Sequence, residues 1–285
     1  MPTPIAEDID YHGLPAIHLR APDGAEAIVL LYGGHLVSWK PAGGEERLYM
    51  SDKAIFQLGT PVRGGVPVCF PQFGNTGPLP QHGFVRTRMW EKVAARAGDD
   101  FAMAALRITD SEETRAIWPH AFQAELSIGV TNARIDIEFE VENTGDQAFE
   151  FAAALHTYLC VKEVEEVSLE GLRGQRYRNL LNKDAIEEVV DTGTAVVIDR
   201  ETTRLYYETE NPLLLREHRR SLGINAESMP DTVVWNPWEH TCATIADLPA
   251  NGFRRFLCVE AGAIQKPVQL APAESWWGRQ TLVAM

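Results

Sequence analysis

The sequence predicts an all-β protein, a large antiparallel β-sandwich, on the strength of three observations. Apolar and polar residues alternate with a period of two in many short runs. The clearest is 134–142, where Ile135, Ile137, Phe139 and Val141 alternate with charged residues. Successive side chains of a strand point to opposite faces, so such a run has one dry face and one wet face. Turn-forming pairs separate many of the runs, among them Gly33-Gly34, Gly43-Gly44 and the stretch Asn143-Thr144-Gly145. Helical periodicity is scarce, and only 184–190 reads as a short helix.

Along the chain, strands are expected at 16–20, 27–32, 101–109, 122–130, 134–142, 149–160, 194–198, 233–235 and 256–260. The 285 residues, 45% of them hydrophobic, suffice for a large core, whether as one large β domain or two small ones. No Pro- or Ser-rich linker, fixed-period repeat or low-complexity tract divides the chain. The expectation is therefore a single domain over 1–285, with two large sheets packed face to face.

Acidic residues outnumber Lys plus Arg by 40 to 26, a net charge of -14, so the bulk field repels nucleic acid and anionic membranes, and neither is expected as a partner. Cys69, Cys160, Cys242 and Cys258 are far apart, lie in apolar runs and lack metal-ligand spacing; they read as buried, reduced thiols. The N-terminal residues show no basic segment followed by an apolar one. No run approaches the roughly 18 apolar residues of a membrane span. A cytoplasmic location is expected.

Candidate chemistry begins in the Gly/Pro-rich stretches 60–74 and 79–86. Glycines let backbone approach a ligand and prolines stiffen the loops, so Arg63, Gln81, His82 and Arg86 could be held on a rigid rim. The alternative is a purely structural loop with solvated arginines. His156 shares a face with Ala152, Ala154 and Tyr158, whose small members leave space above it; a core or surface histidine is the competing reading. Glu260 ends the apolar run 256–260, as a carboxylate tuned for proton transfer or as an acid at a sheet edge. Tryptophans cluster at 235, 238, 276 and 277, where core packing competes with sugar stacking. No Walker loop, dinucleotide-binding glycine pattern, zinc spacing or Gly-x-Ser-x-Gly elbow is present.

Six motifs converge. Arg-Gly-Gly-Val-Pro-Val-Cys-Phe-Pro-Gln-Phe-Gly at 63–74, Gln-His-Gly-Phe-Val-Arg at 81–86 and Leu-His-Thr-Tyr at 155–158 are followed by Gly-Leu-Arg-Gly at 171–174, Val-Trp-Asn-Pro-Trp at 234–238 and Phe-Leu-Cys-Val-Glu at 256–260. Together they resemble the glucose-6-phosphate 1-epimerase family over nearly the whole chain and in the expected order. The resemblance implies a galactose-mutarotase-like supersandwich with an open cleft on one sheet, and neither metal nor organic cofactor. By position, His156 resembles the general acid and Glu260 the general base. Arg63, Gln81 and Arg86 resemble substrate contacts, and His82 borders the same pocket. The implied ligand is a hexose 6-phosphate, with Arg63 and Arg86 countering the general repulsion between an acidic protein and an anionic sugar. The oligomeric state is left open.

Two departures bear on specificity. Thr203 stands where the family places a substrate-contacting aspartate, offering a hydroxyl in place of an ionised acceptor, with Asp199 as a substitute only if the register shifts. Ala273 stands where the family tends to have glycine. The rivals are an aldose 1-epimerase of neutral sugars, a carbohydrate-binding protein without catalysis, and a glycosidase, which usually calls for two catalytic carboxylates.

Overall fold

The computed structural model describes residues 3–181, 188–209 and 211–285. Among them the strands form three antiparallel sheets of four, eight and nine strands. Strand Phe122–Thr131 buries every second residue, and Arg134–Asn143 does the same with Ile135, Ile137, Phe139 and Val141. These side chains form the inner face of the nine-stranded sheet. Phe149, Phe151, Ala153 and Leu155, with Leu257, Val259 and Ala261, belong to the same core cluster from the eight-stranded sheet. Each large side chain so buried contributes about 1.5–3 kcal/mol. Phe70 sits among Trp118, Phe122, Phe139 and Phe151, at ring separations of 5.5, 5.3, 5.7 and 5.1 Å.

The opposite face of the eight-stranded sheet carries the polar residues of interest. Its central strand, Phe256–Leu270, pairs with Asp231–Asn236 on one side and with Phe149–Leu155 and Tyr158–Cys160 on the other. Glu260 therefore lies inside a long strand rather than at a strand end. A buried amide ties the two large sheets together beneath it. Thr157 Oγ1 donates to Gln280 Oε1 at 2.5 Å, and Gln280 Nε2 donates to the Val259 carbonyl at 3.0 Å.

The expected sandwich is present, with several differences in detail. A separate four-stranded sheet, Ile5–Tyr11, Leu14–Arg20, Glu26–Leu30 and His35–Lys40, sends Ile17, Leu19 and Trp39 into the main core. The run 149–160 is broken at His156, whose N–H leaves the ladder to donate to the Pro67 carbonyl at 3.0 Å. The expected helix at 184–190 is contradicted where it can be seen: Glu188–Val190 is a strand paired with Arg176–Asn179, and 184–187 lie outside the described residues. Only Ala195–Val196 of the run 194–198 is a strand.

Two short helices escaped the periodicity analysis because six or seven residues span too few turns to show it: Glu112–Ile117, with a Ser111/Thr114 capping box, and Trp238–Thr244. Cys69, Cys242 and Cys258 are buried free thiols, whereas Cys160 is only partly covered. Ala273 has φ 64°, a left-handed conformation that favours glycine. No helix among the described residues is long and apolar enough to cross a membrane.

The loop that carries His82 is pressed against Phe70. Gly83 has φ 74°, and a Cβ there would lie 1.9 Å from the Phe70 carbonyl oxygen, whereas a Cβ on Gly13, also at positive φ, would meet nothing within 4 Å. Gly83→Ala is therefore expected to cost about 3 kcal/mol or more, and Gly13→Ala about 1 kcal/mol for the backbone conformation alone. Urea unfolding of both variants checks this; equal losses would show that packing against Phe70 contributes nothing.

Candidate active site

Two tight loops and one strand break bring the expected residues together. Arg63 precedes Gly64 and Gly65. A Cβ on Gly65 would lie 2.3 Å from the Leu36 carbonyl oxygen and 2.8 Å from His35 Nε2, so only glycine lets the loop lie this close. His35, 1% exposed, donates Nε2–H to the Gly64 carbonyl at 2.7 Å. Burial pushes the His35 imidazole down to about 4, which keeps it neutral. Beyond Phe70, the Gln72 side chain grips the next loop: its Nε2 donates to the carbonyls of Gly74 and Leu79, and its Oε1 accepts from Leu79 N–H.

These supports frame a cleft of about 340 Å³ lined by Arg63, His82, His156, Thr203, Trp235 and Glu260, with Phe73, Gln81 and Ile245 among the other walls. At its floor His156 Nε2 lies 3.5 Å from Glu260 Oε1. His156 is 7% exposed and Glu260 1%. Glu260 Oε2 and His156 Nδ1 are buried and have no hydrogen-bond partner among the described residues. Leaving such atoms unsatisfied costs about 1–3 kcal/mol each, an expense that folding alone does not explain.

Burial also sets the protonation of the pair. It pushes the Glu260 carboxyl well above the usual carboxylate range. The His156 imidazole is driven well below its ordinary value first by burial, then by His82, Arg86 and Arg63. Both effects favour the uncharged forms, a carboxylic acid beside a neutral imidazole. A general acid at His156 and a general base at Glu260, the roles the resemblance implies, would need the opposite arrangement, with the proton on the histidine. The two arrangements hold the same single proton. His82, at φ 63°, accepts Gly74 N–H at Nδ1 (3.2 Å), which places its own hydrogen on Nε2. Burial, with Arg86 and Arg63, lowers its imidazole to about 3.

The cations are held differently. Arg63 donates from Nε to Asp247 Oδ1 at 3.1 Å and from Nη1 to the Tyr158 hydroxyl at 3.0 Å. Burial works against its charge, but Tyr158 and Asp247 more than offset that and keep it cationic. Arg86 donates Nη2 to the Gln81 carbonyl at 2.7 Å, and its charge bears on both His82 and His156. Thr203 faces the cleft beside its cross-strand partner Trp235. Asp199 does not replace the missing aspartate: it is exposed and paired with Arg200.

Sequence reasoning missed Asp247, which lies in an unremarkable loop and acquires its role only through Arg63. Of the tryptophans, Trp235 reaches the cleft and Trp276 packs on the core, while Trp277 is 42% exposed.

His156, Cys258 and Glu260 present ligand atoms within 4.8 Å of one another, the arrangement of a possible cation site. A metal would need both the thiol and the carboxyl to lose their protons. Burial pushes Cys258 as well as Glu260 well above its ordinary value, and Arg63 and Arg86 add positive charge nearby. The donor set suits proton exchange better than cation binding.

The family described as Aldose 1-epimerase matches residues 15–282. A protein of Cenchrus ciliaris named "Putative glucose-6-phosphate 1-epimerase" is 35% identical, covering 100% of this chain and 89% of its own. A protein of Escherichia coli strain K12 with the same name is 34% identical over 95% of this chain and 94% of its own. The crystal structure of a "putative mutarotase" from Salmonella typhimurium superposes with a TM-score of 0.90 at 30% identity, covering 100% of this chain and 95% of that one. A galactose 1-epimerase from Lactobacillus acidophilus shares the fold, with a TM-score of 0.75 at 15% identity over 99% of each chain. With a match that runs nearly end to end and full-length relatives above 30% identity, the chain belongs to the aldose 1-epimerase family.

Proposed function

We propose that this protein interconverts the α and β anomers of a hexose 6-phosphate, glucose 6-phosphate first, with His156 and Glu260 as the proton-transfer pair. One observation carries the reading: a histidine and a glutamate 3.5 Å apart, sealed at the floor of a cleft, each with a buried atom that lacks a partner. The names of the full-length relatives supply the phosphorylated sugar.

Mutarotation moves only protons and one C–O bond, so it needs no redox or group-transfer cofactor. Glu260 as carboxylate takes the proton of the anomeric hydroxyl, and the O1 electrons form the carbonyl as the C1–O5 bond breaks. His156 as imidazolium delivers its proton to O5. After rotation about C1–C2, the same steps reversed close the ring on the other carbonyl face. Opening therefore leaves Glu260 protonated and His156 neutral, the state that burial favours. The desolvated floor thus favours the same protonation state in the resting site and beside the open-chain aldehyde, so the pair is returned to its resting form by the opening step, and the ion pair that begins the step has to be formed against that preference. In the empty cleft the proton must first pass between the two side chains, across 3.5 Å. The Arg63 and Arg86 guanidiniums, whose charges both bear on the cleft histidines, supply positive charge for the phosphoryl group.

General acid–base groups contribute about 10²–10⁴-fold each, so Glu260→Gln and His156→Gln are each expected to lower kcat by at least about 10²-fold. Two-dimensional exchange NMR of anomers measures the rate; near-normal exchange in a folded Glu260→Gln protein would remove it as the base.

The pH dependence follows from the single shared proton. Activity is lost in acid when His156 takes up a second proton, well below its ordinary value, and in alkali when the pair loses its only proton, well above the ordinary carboxylate range. The His156 ring resonances in the free enzyme are accordingly expected to show no titration near pH ~6.5, the ordinary imidazole value. Titration there would contradict the buried neutral pair.

Hydrogen bonds to charged groups contribute about 1.5–3 kcal/mol, so Arg63→Ala should cost roughly 10- to 150-fold in kcat/KM for glucose 6-phosphate and much less for glucose. Equal losses for both sugars would assign Arg63 to the sugar ring and withdraw the phosphate reading.

A further inference from the structure

The cation of the cleft and the histidine on its floor are joined by one side chain. Tyr158 accepts a hydrogen bond from Arg63 Nη1 at 3.0 Å through its hydroxyl. Its ring stacks on His156 with centroids 4.8 Å apart and planes 10° apart. The tyrosine is 2% exposed and is wedged edge-on against Trp235 at 5.9 Å and tilted against Phe256 at 5.3 Å, so it has little freedom to move independently. Trp235 also meets His156 edge-on, at 5.8 Å. On the far side, Arg63 Nε is tied to Asp247, and the Asp247 carbonyl accepts from Ser51 Oγ at 2.6 Å. Asp247, Arg63, Tyr158 and His156 thus form a continuous chain of contacts from the loop wall to the floor.

We infer that Tyr158 is a positioning residue that transmits occupancy of the anion subsite at Arg63 to the orientation of His156, so that binding of a phosphoryl dianion speeds ring opening as well as holding the substrate. The inference rests on the phosphate reading above. Asp247 and Tyr158 take the Nε hydrogen and one Nη1 hydrogen of Arg63, so an anion is met by the hydrogens that remain on Nη1 and Nη2, and drawing the guanidinium toward it pulls on the Arg63–Tyr158 bond. Any shift of the phenol displaces the ring stacked on the histidine. Binding energy from a part of the substrate that does not react is then expressed at the reacting centre, which raises kcat rather than only lowering KM.

The consequence is that the dianion need not be attached to the sugar. With unphosphorylated glucose as substrate, inorganic phosphite is expected to raise the enzyme-catalysed anomer exchange rate saturably, by at least about tenfold over the same enzyme without phosphite, after subtraction of the phosphite-only rate. Tyr158→Phe keeps the stack on His156 but cuts the bond to Arg63. It should abolish the activation while phosphite still binds, as followed by phosphorus NMR titration, and should lower kcat for glucose 6-phosphate with KM little changed. Arg63→Lys retains a cation without the second donor to Tyr158, and should also bind phosphite without activation. Phosphite that binds wild type yet leaves glucose turnover unchanged or inhibited, or activation that survives in Tyr158→Phe, would overturn the coupling and leave the phosphate reading standing. Failure of phosphite to bind, together with equal kcat/KM for glucose and glucose 6-phosphate, would overturn both.

Discussion

Desolvation of two ionisable side chains on one sheet face governs this site. His156, in the break between two strands of the eight-stranded sheet, lies beside Glu260 on its central strand, with Ala154, Cys69 and Val233 among the small and apolar residues near them. Burial leaves little solvent contact to stabilise either charge. The interior penalises a carboxylate and an imidazolium separately, and an uncharged pair with one mobile proton results. A carboxyl at an exposed sheet edge would ionise and stay ionised, and the pair would not hold its proton at neutral pH.

Keeping such a pair open to a ligand requires rigid surroundings, since a mobile loop would let water in. The loops are stiffened by close backbone packing: Gly65 against Leu36 and His35, Gly83 against Phe70, and Gln72 clamped across 74–79. Buried hydrogen bonds also anchor the floor from below, where Gln280 links Thr157 to Val259 and so joins the break after His156 to the strand that carries Glu260. A polar link of this kind, fully satisfied inside a core, holds a unique geometry that apolar packing by itself leaves less defined.

Charge is distributed to the same end. The protein as a whole carries -14, yet the charges that reach the imidazoles of the cleft are those of Arg63 and Arg86. Asp247 balances part of that charge and fixes the Arg63 guanidinium in place, which lowers the entropic cost of ordering it when an anion arrives. With Thr203 on the lining, no second carboxylate faces the cleft beside Glu260 among its described lining residues.

Much of this was legible in the chain itself. Period-two alternation located most of the long strands, including 122–130 and 134–142, because alternation is a local property recorded residue by residue. The Gly/Pro loops marked 63–74 and 81–86 as places where backbone packs closely, and the sequence determined that Arg63, His82, His156 and Glu260 were the residues to examine. It could not show which proton state the pair holds, or that Asp247 belongs to the site at all. Those features were decided by strands far apart in sequence, Asp231–Asn236 and Phe149–Leu155 closing over Glu260 and the 247 loop meeting Arg63 across 184 positions. Desolvation and ion pairing depend on what lies within a few ångströms in space, and that neighbourhood exists only once the sheets have packed.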